Sequence, residues 1–153
     1  MKNMPRKSNN LRLLGILILI VGVVFVFVRL SALVSVWNYV AAAGNGDIVA
    51  VRRYLDSGVP PDAPRTIPTG RAIEMASYNG HYDVVNLLLD RGANPTHGIR
   101  AATLRRHLDV VKLLVRRGAD IKGRDKSNKS LMKFAEDSGG PEIVTFLRQS
   151  GAE

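Results

Sequence analysis

The stretch GHYDVVNLLLDRGAN, residues 80–94, decides the fold of this chain. It contains apolar residues at helical spacing, and the glycines Gly80 and Gly92 flank them. The pattern predicts an amphipathic helix that follows one glycine turn and ends at another. A short helix with so broad an apolar face cannot bury that face alone, so neighbouring elements must cover it.

Three related stretches occur elsewhere in the chain. GDIVAVRRYLDSGVP begins at Gly46, RHLDVVKLLVRRGAD at Arg106 and GPEIVTFLRQSGAE at Gly140. A shorter stretch with a small residue about four positions before the turn precedes each copy, and these residues are Ala42, Ala76, Ala102 and Ala135. The pattern predicts four antiparallel helix pairs whose small side chains permit close approach and whose stacking buries one continuous core.

With these copies the chain resembles ankyrin repeats from residue 37 to residue 153. The family pattern runs roughly T-P-L-H-x-A-A-x-x-G-H-x-x-V-V-x-x-L-L-x-x-G-A, and GHYDVVNLLLDRGAN is the best match to it. The resemblance implies an all-α ankyrin-repeat solenoid of about four repeats, with units at about 37–62, 63–94, 95–121 and 122–153. It also implies a protein that binds other proteins and has no catalytic activity.

The chain departs from the family pattern in three places. Arg71-Ala72-Ile73-Glu74 and Ser130-Leu131-Met132-Lys133 replace the T-P-L-H box, so we expect altered helix capping there, although Ser130 can still cap. The connection ANPTHGIR is too short for the β-hairpin finger of the family and predicts one shortened finger with a tight turn. The proline-rich connection VPPDAPRTIPTGR is expected to be stiff and extended.

The N-terminal part has a different composition. Residues 13–28, LLGILILIVGVVFVFV, are apolar without a charge, and apolar residues continue after Arg29. We predict a basic segment at 1–12 and a transmembrane signal-anchor helix at 13–36, with Trp37 and Tyr39 at the membrane interface. A cleaved signal peptide is the main alternative, for which Ala41-Ala42-Ala43 is the nearest small-residue triplet, and a helix buried in a soluble domain is the third.

The distribution of basic residues predicts the orientation in the membrane. Four Lys or Arg precede the apolar run and a single arginine follows it within twenty residues. This asymmetry predicts a cytoplasmic N-terminus and a repeat domain on the periplasmic or exoplasmic side, with a bacterial inner membrane as the expected setting.

The net charge of +9 is concentrated in one part of the repeats. Residues 100–133, called the basic patch below, contain eleven Lys or Arg and three Asp. The patch is either an ordinary solvated surface or one that attracts an acidic partner or anionic lipid. Nucleic acid is not an expected partner, because the domain is predicted to be exported and few aromatic residues lie among the basic ones.

No pattern typical of catalysis or of metal binding is found. The chain has no cysteine, and His81 and His107 occupy equivalent turn positions rather than a ligand pair. Phosphate-binding glycine loops and nucleophile motifs are also missing from the sequence. We therefore predict no catalytic residues, no metal, no cofactor and no small-molecule substrate, and an unrecognised hydrolase is the remaining enzymatic hypothesis.

The resemblance also implies where a partner binds. In ankyrin repeats, partners contact the concave side, often through the two residues before each turn glycine. These positions are Gly44 and Asn45, Tyr78 and Asn79, Leu104 and Arg105, and Asp137 and Ser138. The predicted partner-binding residues are Asn45, Arg65, Tyr78, Asn79, Leu104 and Arg105, with Tyr78 and Arg105 as main anchors.

The function predicted from these patterns is a membrane-tethered scaffold. Its repeats would bind an exported protein that has not been identified, and would stabilise or inhibit it. The alternative is a structural protein at the membrane surface whose basic patch contacts anionic lipid.

Overall fold

The structure is a computed structural model that describes residues 7–64, 70–138 and 140–152, without the side chains of residues 7–12, 28, 29 and 32. Two compact units are found, Met1–Ser35 and Val36–Glu153. Eight α-helices lie within the described ranges: α1 Lys7–Gly44, α2 Ile48–Asp56, α3 Ala72–Asn79, α4 Tyr82–Asp90, α5 Thr96–Leu104, α6 Leu108–Arg116, α7 Leu131–Asp137 and α8 Pro141–Gln149.

In the N-terminal unit, the apolar run is helical and belongs to α1. Its large apolar side chains are each more than half exposed wherever they are described, from 51 % at Ile20 to 71 % at Phe27. A search of the described residues finds no helix with the length and apolar character that crossing a membrane requires. The transmembrane helix predicted at 13–36 is therefore unsupported.

In the second unit, the predicted helix pairs are found. Helix α3 pairs with α4, α5 with α6, and α7 with α8, and α3, α5 and α7 contact one another in sequence. The end of α1 contacts α2 through the rings of Tyr39 and Tyr54. The core consists of apolar side chains from every pair, and its largest fully buried members include Tyr39, Ile73, Leu88, Leu114 and Leu147. These stacked pairs agree with the all-α repeat fold predicted from the four sequence copies.

The second helix of each pair ends in the same way. Its closing glycine has a positive φ, and the N–H of the following residue donates to a carbonyl of the last helical turn. In the second helix pair, Gly92 has a φ of 91°, and the Ala93 N–H donates to the Leu88 carbonyl oxygen at 2.9 Å. Only glycine adopts this backbone conformation at little cost, which explains why the glycine recurs.

The turn within the third pair differs from the others. The first and second pairs turn at Gly46 and Gly80, with φ values of 75° and 77°. The corresponding residue of the third pair is Arg106, which has a φ of 62°. A residue with a Cβ pays about 1–2 kcal/mol for the left-handed conformation, so contacts of the arginine must offset that cost.

Among the described helices, α3 and α5 form an extensive contact. There Gly98 of α5 faces Ser77 of α3, and both residues are buried. A Cβ added to Gly98 would lie 2.4 Å from the Ser77 Oγ and 3.3 Å from the Leu114 Cδ1. The glycine therefore permits the two helices to approach so closely.

The shortened finger is found where it was predicted. Only residues 91–95 connect α4 to α5, and the Asn94 side-chain oxygen accepts from the Thr96 N–H at 2.9 Å. The longer connection between α6 and α7 forms an antiparallel bridge between Arg124 and Ser130. Ser130 also caps α7, since its Oγ accepts from the Lys133 N–H at 3.2 Å.

The connection after α2 is bent where it was expected to be extended. Over the described residues 59–64, the Ala63 N–H donates to the Pro60 carbonyl at 3.0 Å and closes a turn. Pro61 stands at the second position of this turn, where the fixed φ of proline is favourable. The expectation failed because consecutive prolines stiffen a chain but also initiate turns.

The prediction for Tyr39 was wrong. Its side chain is fully buried in the repeat core and not at a membrane interface. The ring lies edge-on to Tyr54 at 6.1 Å, and the hydroxyl donates to the Pro61 carbonyl at 3.3 Å. Burial, followed by the nearby charge of Asp62, raises the pKa of Tyr39 well above its usual range. The side chain therefore joins α1, α2 and the connection after α2.

Candidate functional site

The candidate partner-binding residues lie at the ends of successive first helices. We call this set the helix-end row, and it consists of Asn45, Tyr78, Asn79, Leu104 and Arg105, all of them exposed. Leu104 is 48 % exposed and Tyr78 is 36 % exposed, which places them among the few large apolar residues at the surface of the repeats. The sixth candidate, Arg65, lies outside the described residues.

Tyr78 and Arg105, the two residues predicted as anchors, contact each other. The Arg105 guanidinium carbon lies 4.8 Å from the centroid of the Tyr78 ring, a cation–π geometry. The close approach of α3 and α5 makes this contact possible, because the two residues end neighbouring helices. Tyr78 and Arg105 therefore contact each other at the surface, and Leu104, which directly precedes Arg105, is also exposed.

Asn79 has a structural contact within the row. Its Nδ2 donates to the Gly44 carbonyl oxygen at 2.6 Å, and this bond links the second helix pair to the first. Asn45 stands in the same turn as Gly44, and its side chain makes no hydrogen bond that the structure records. Asn45 is thus the more available of the two asparagines.

His81 and His107 lie at turns, as the sequence predicted, and each also contacts the preceding helix pair. His81 Nε2 lies 2.9 Å from the Gly44 carbonyl oxygen, and His107 Nε2 lies 3.0 Å from that of Tyr78. A carbonyl can only accept, so Nε2 carries the proton in both rings. An added Cβ on Gly80 would lie 2.6 Å from the His107 ring, so the glycine makes room for the histidine.

Between the third and fourth helix pairs, the donating side chain belongs to the earlier pair, whereas the two histidines contact the pair before them. The fourth unit has Gly140 where the second and third units have histidine, and Arg106 of the third unit reaches forward instead. Its Nε and Nη2 donate to the Ser138 carbonyl oxygen at 3.0 and 2.7 Å. Sequence reasoning placed Arg106 in the basic patch and missed this role, although alignment with Gly46 and Gly80 marks the position as a turn.

In the fourth helix pair, the residue equivalent to Tyr78 and Leu104 is Asp137, and lysines of the same chain pair with its carboxylate. Asp137 pairs with Lys129 and with Lys133, and the Lys133 contact measures 3.2 Å. Hydrogen bonds from Lys129 and then Lys133 hold the pKa of Asp137 below its ordinary value. Its carboxylate therefore offers little negative charge at the end of the row.

Several cations of the basic patch have partners inside the protein. Arg100 pairs with Asp125 at 3.3 Å, donates to the Lys129 carbonyl oxygen at 2.7 Å and lies over the Phe134 ring. The Lys129 N–H, then that of Ser127 and the charge of Arg100 lower the pKa of Asp125. Within the described residues, no ion pair or ring contact is found for five of the patch cations, which are Arg106, Arg116, Lys122, Arg124 and Lys126.

An ion-pair ladder runs along the ends of the second helices. Arg91 pairs with Asp56 of the unit before it, and Arg117 pairs with Asp90, each at 2.8 Å. The fourth unit has Ser150 at the arginine position and the third unit has Arg116 at the aspartate position, so the ladder ends there. The ladder connects the first three units only.

The cavities are open surface grooves. One of them has a volume of about 420 Å³, lies between α6 and α8, and is lined by Leu108, Lys112, Pro141, Glu142, Thr145, Phe146 and Gln149. No group of three His, Asp or Glu side chains that could hold a metal is found among the described residues.

The comparisons with known proteins agree with the repeat architecture. A family model described as the ankyrin repeat matches residues 72–100 and 95–126, which include α3 to α6. No curated protein matches the sequence of the chain. The matched residues and the stacked helix pairs together support the ankyrin-repeat family for this chain.

Proposed function

We propose that this chain is a non-catalytic scaffold that binds a protein partner through the helix-end row. The observation that carries the proposal is that Tyr78, Leu104 and Arg105 are all exposed at the ends of neighbouring helices and that Arg105 contacts the Tyr78 ring. Aromatic rings and arginines dominate the binding energy of protein interfaces. Ankyrin repeats in general recognise other proteins, which favours the same function.

Photo-crosslinking in the expressing cell tests this proposal. A photoreactive amino acid at Leu104 should give a crosslinked product of defined mass that contains a second protein. The matched control has the photoreactive amino acid in place of Asp109, which is exposed in the first turn of α6, and it should give no such product. Equal products at both positions, or none at Leu104 and Asn45, would show that the row is not the binding surface.

We further propose that residues 13–36 anchor the scaffold in a membrane, with the repeats on the periplasmic or exoplasmic side. The uncharged run at 13–28 and the excess of basic residues before it support this topology. The exposed apolar side chains of α1 would lose their contact with water in lipid.

Two reporter fusions at the C-terminus test the topology. A phosphatase that is active only after export should be active, and a fluorescent protein that matures only in the cytoplasm should be dark. The reverse pair of results would reject the orientation. Release of the chain from membranes by alkaline carbonate would reject the anchor.

The lipid-contacting alternative has less support. Arg100, Arg117, Lys129 and Lys133 of the basic patch each pair with a carboxylate of the chain, so four of its eleven cations already have an acidic partner. Those four are less available to the phosphates of anionic lipid.

A further inference from the structure

We infer that the partner segment that contacts the helix-end row is acidic, with a carboxylate that pairs with Arg105 and an apolar side chain that covers Leu104. This inference rests on the proposed function and adds the chemistry of the partner. It follows from the charges on this surface, from the position of the Arg105 side chain and from the exposed leucine beside it.

The row carries two adjacent positive charges directly after α5. Arg105 and Arg106 are consecutive cations at the end of α5. Asp137, which occupies the equivalent position in the fourth helix pair, pairs with Lys129 and Lys133. An approaching acidic segment therefore meets attraction at the third unit without repulsion from the fourth.

Arg105 is held in place without being neutralised. Arg106 uses two of its N–H groups on the Ser138 carbonyl oxygen. Within the described part of the chain, no carboxylate pairs with Arg105, whose recorded contact is the Tyr78 ring. A ring face constrains the guanidinium but leaves the N–H donors at its edge available, so a carboxylate can accept from them with little further ordering.

Leu104 determines the second part of the partner. It is 48 % exposed and directly precedes Arg105. A purely acidic segment would leave this side chain in water, whereas an apolar neighbour of the carboxylate would bury it. Burial of apolar area and a charged hydrogen bond would then both contribute to affinity.

A random 12-residue peptide library displayed on phage tests the inference against the full chain in detergent micelles. The selected peptides should be enriched in Asp or Glu next to an apolar residue. A synthetic selected peptide should lose affinity about tenfold for Arg105→Gln, because one charged hydrogen-bond partner is removed. The matched control is Lys126→Gln, which removes an equal charge from an exposed position outside the row and should leave affinity unchanged.

The possible failures point to different conclusions. Selected peptides that are not acidic, but that lose affinity for Tyr78→Ala and Leu104→Ala, would overturn the inference and leave the proposed function intact. Peptides whose affinity no variant of the helix-end row changes would overturn both.

A second probe distinguishes lipid from protein. Soluble dihexanoyl phosphatidylglycerol, below its micelle concentration, should leave the NMR signal of the Arg105 Nε–H unchanged, while the acidic peptide should shift it. A shift with the lipid and none with the peptide would assign the surface to anionic lipid and overturn the inference.

Discussion

Replacing Gly98 with alanine should destabilise the repeat domain, although alanine is the better helix former. Gly98 lies inside α5, where alanine would ordinarily gain about 0.5–1 kcal/mol. The added Cβ would lie 2.4 Å from the Ser77 Oγ and 3.3 Å from both the Ser77 Cβ and the Leu114 Cδ1. Gly98 and Ser77 are both buried in the contact between α3 and α5, so the overlap must be relieved by moving packed helices.

The size of the effect follows from two opposing terms. Overpacking a core by one methyl group costs about 1–3 kcal/mol. After the gain in helix propensity, the net loss for Gly98→Ala should be about 1–2 kcal/mol. Ser77→Ala removes the atom nearest to the added Cβ, and the Ser77 hydroxyl has no hydrogen-bond partner in the structure. Alone it should be neutral or stabilising, and with Gly98→Ala it should recover about half of the loss.

Urea unfolding of the four proteins, followed by circular dichroism in the same detergent, measures the coupling between the two sites. Gly44→Ala is the matched control, because its added Cβ would meet the Met75 Cβ at an ordinary 3.5 Å. The control should be as stable as the parent or more stable. If Gly98→Ala matches the control, or if Ser77→Ala leaves its loss unchanged, close helix packing does not explain the glycine.

Three further measurements test the turns, the finger and the ladder. Gly80→Ala should cost more stability than Gly118→Ala in urea, because both have positive φ but only the first would overlap a histidine ring; equal losses would assign the whole cost to the backbone. Asp125 has a lowered pKa in the fold, so its stabilising contribution is complete above 3.8, its ordinary value, and is lost as the pH falls through the lower folded value. Asp125→Asn should therefore reduce the loss of stability in acid, and parallel pH curves for the two proteins would contradict this. A double-mutant cycle on Asp56 and Arg91 should give about 0.2–1 kcal/mol of coupling that shrinks with salt; a coupling insensitive to salt would argue against an exposed ion pair.

The repeat architecture could be predicted because its signals are local and recur. Gly58, Gly92 and Gly118 mark helix ends through a conformation that other residues avoid, and the apolar spacing before each glycine marks a helix. Four copies of one pattern reinforced one another, so the pairing followed from their spacing, and the shortened finger followed from the resemblance to ankyrin repeats.

Side-chain partners could not be predicted in the same way. Tyr39 was misread because an aromatic residue after an apolar run suits a membrane interface and a repeat core equally well. The contact of Arg105 with Tyr78 depends on how closely α3 and α5 approach, which Ser77 and Gly98 determine across 21 positions of sequence. Arg106 occupies a glycine position, and its hydrogen bonds to Ser138 cross between units.

The burial of Tyr39 has a consequence for proteolytic maturation. A signal peptidase that cut at Ala41-Ala42-Ala43 would discard Tyr39 and Val40, whose side chains are 0 % and 1 % exposed in the core. The shortened product would lack the ring that packs on Tyr54 and the hydroxyl that bonds to Pro61. Processing at that triplet would therefore yield a product whose first repeat is open to solvent and to further degradation.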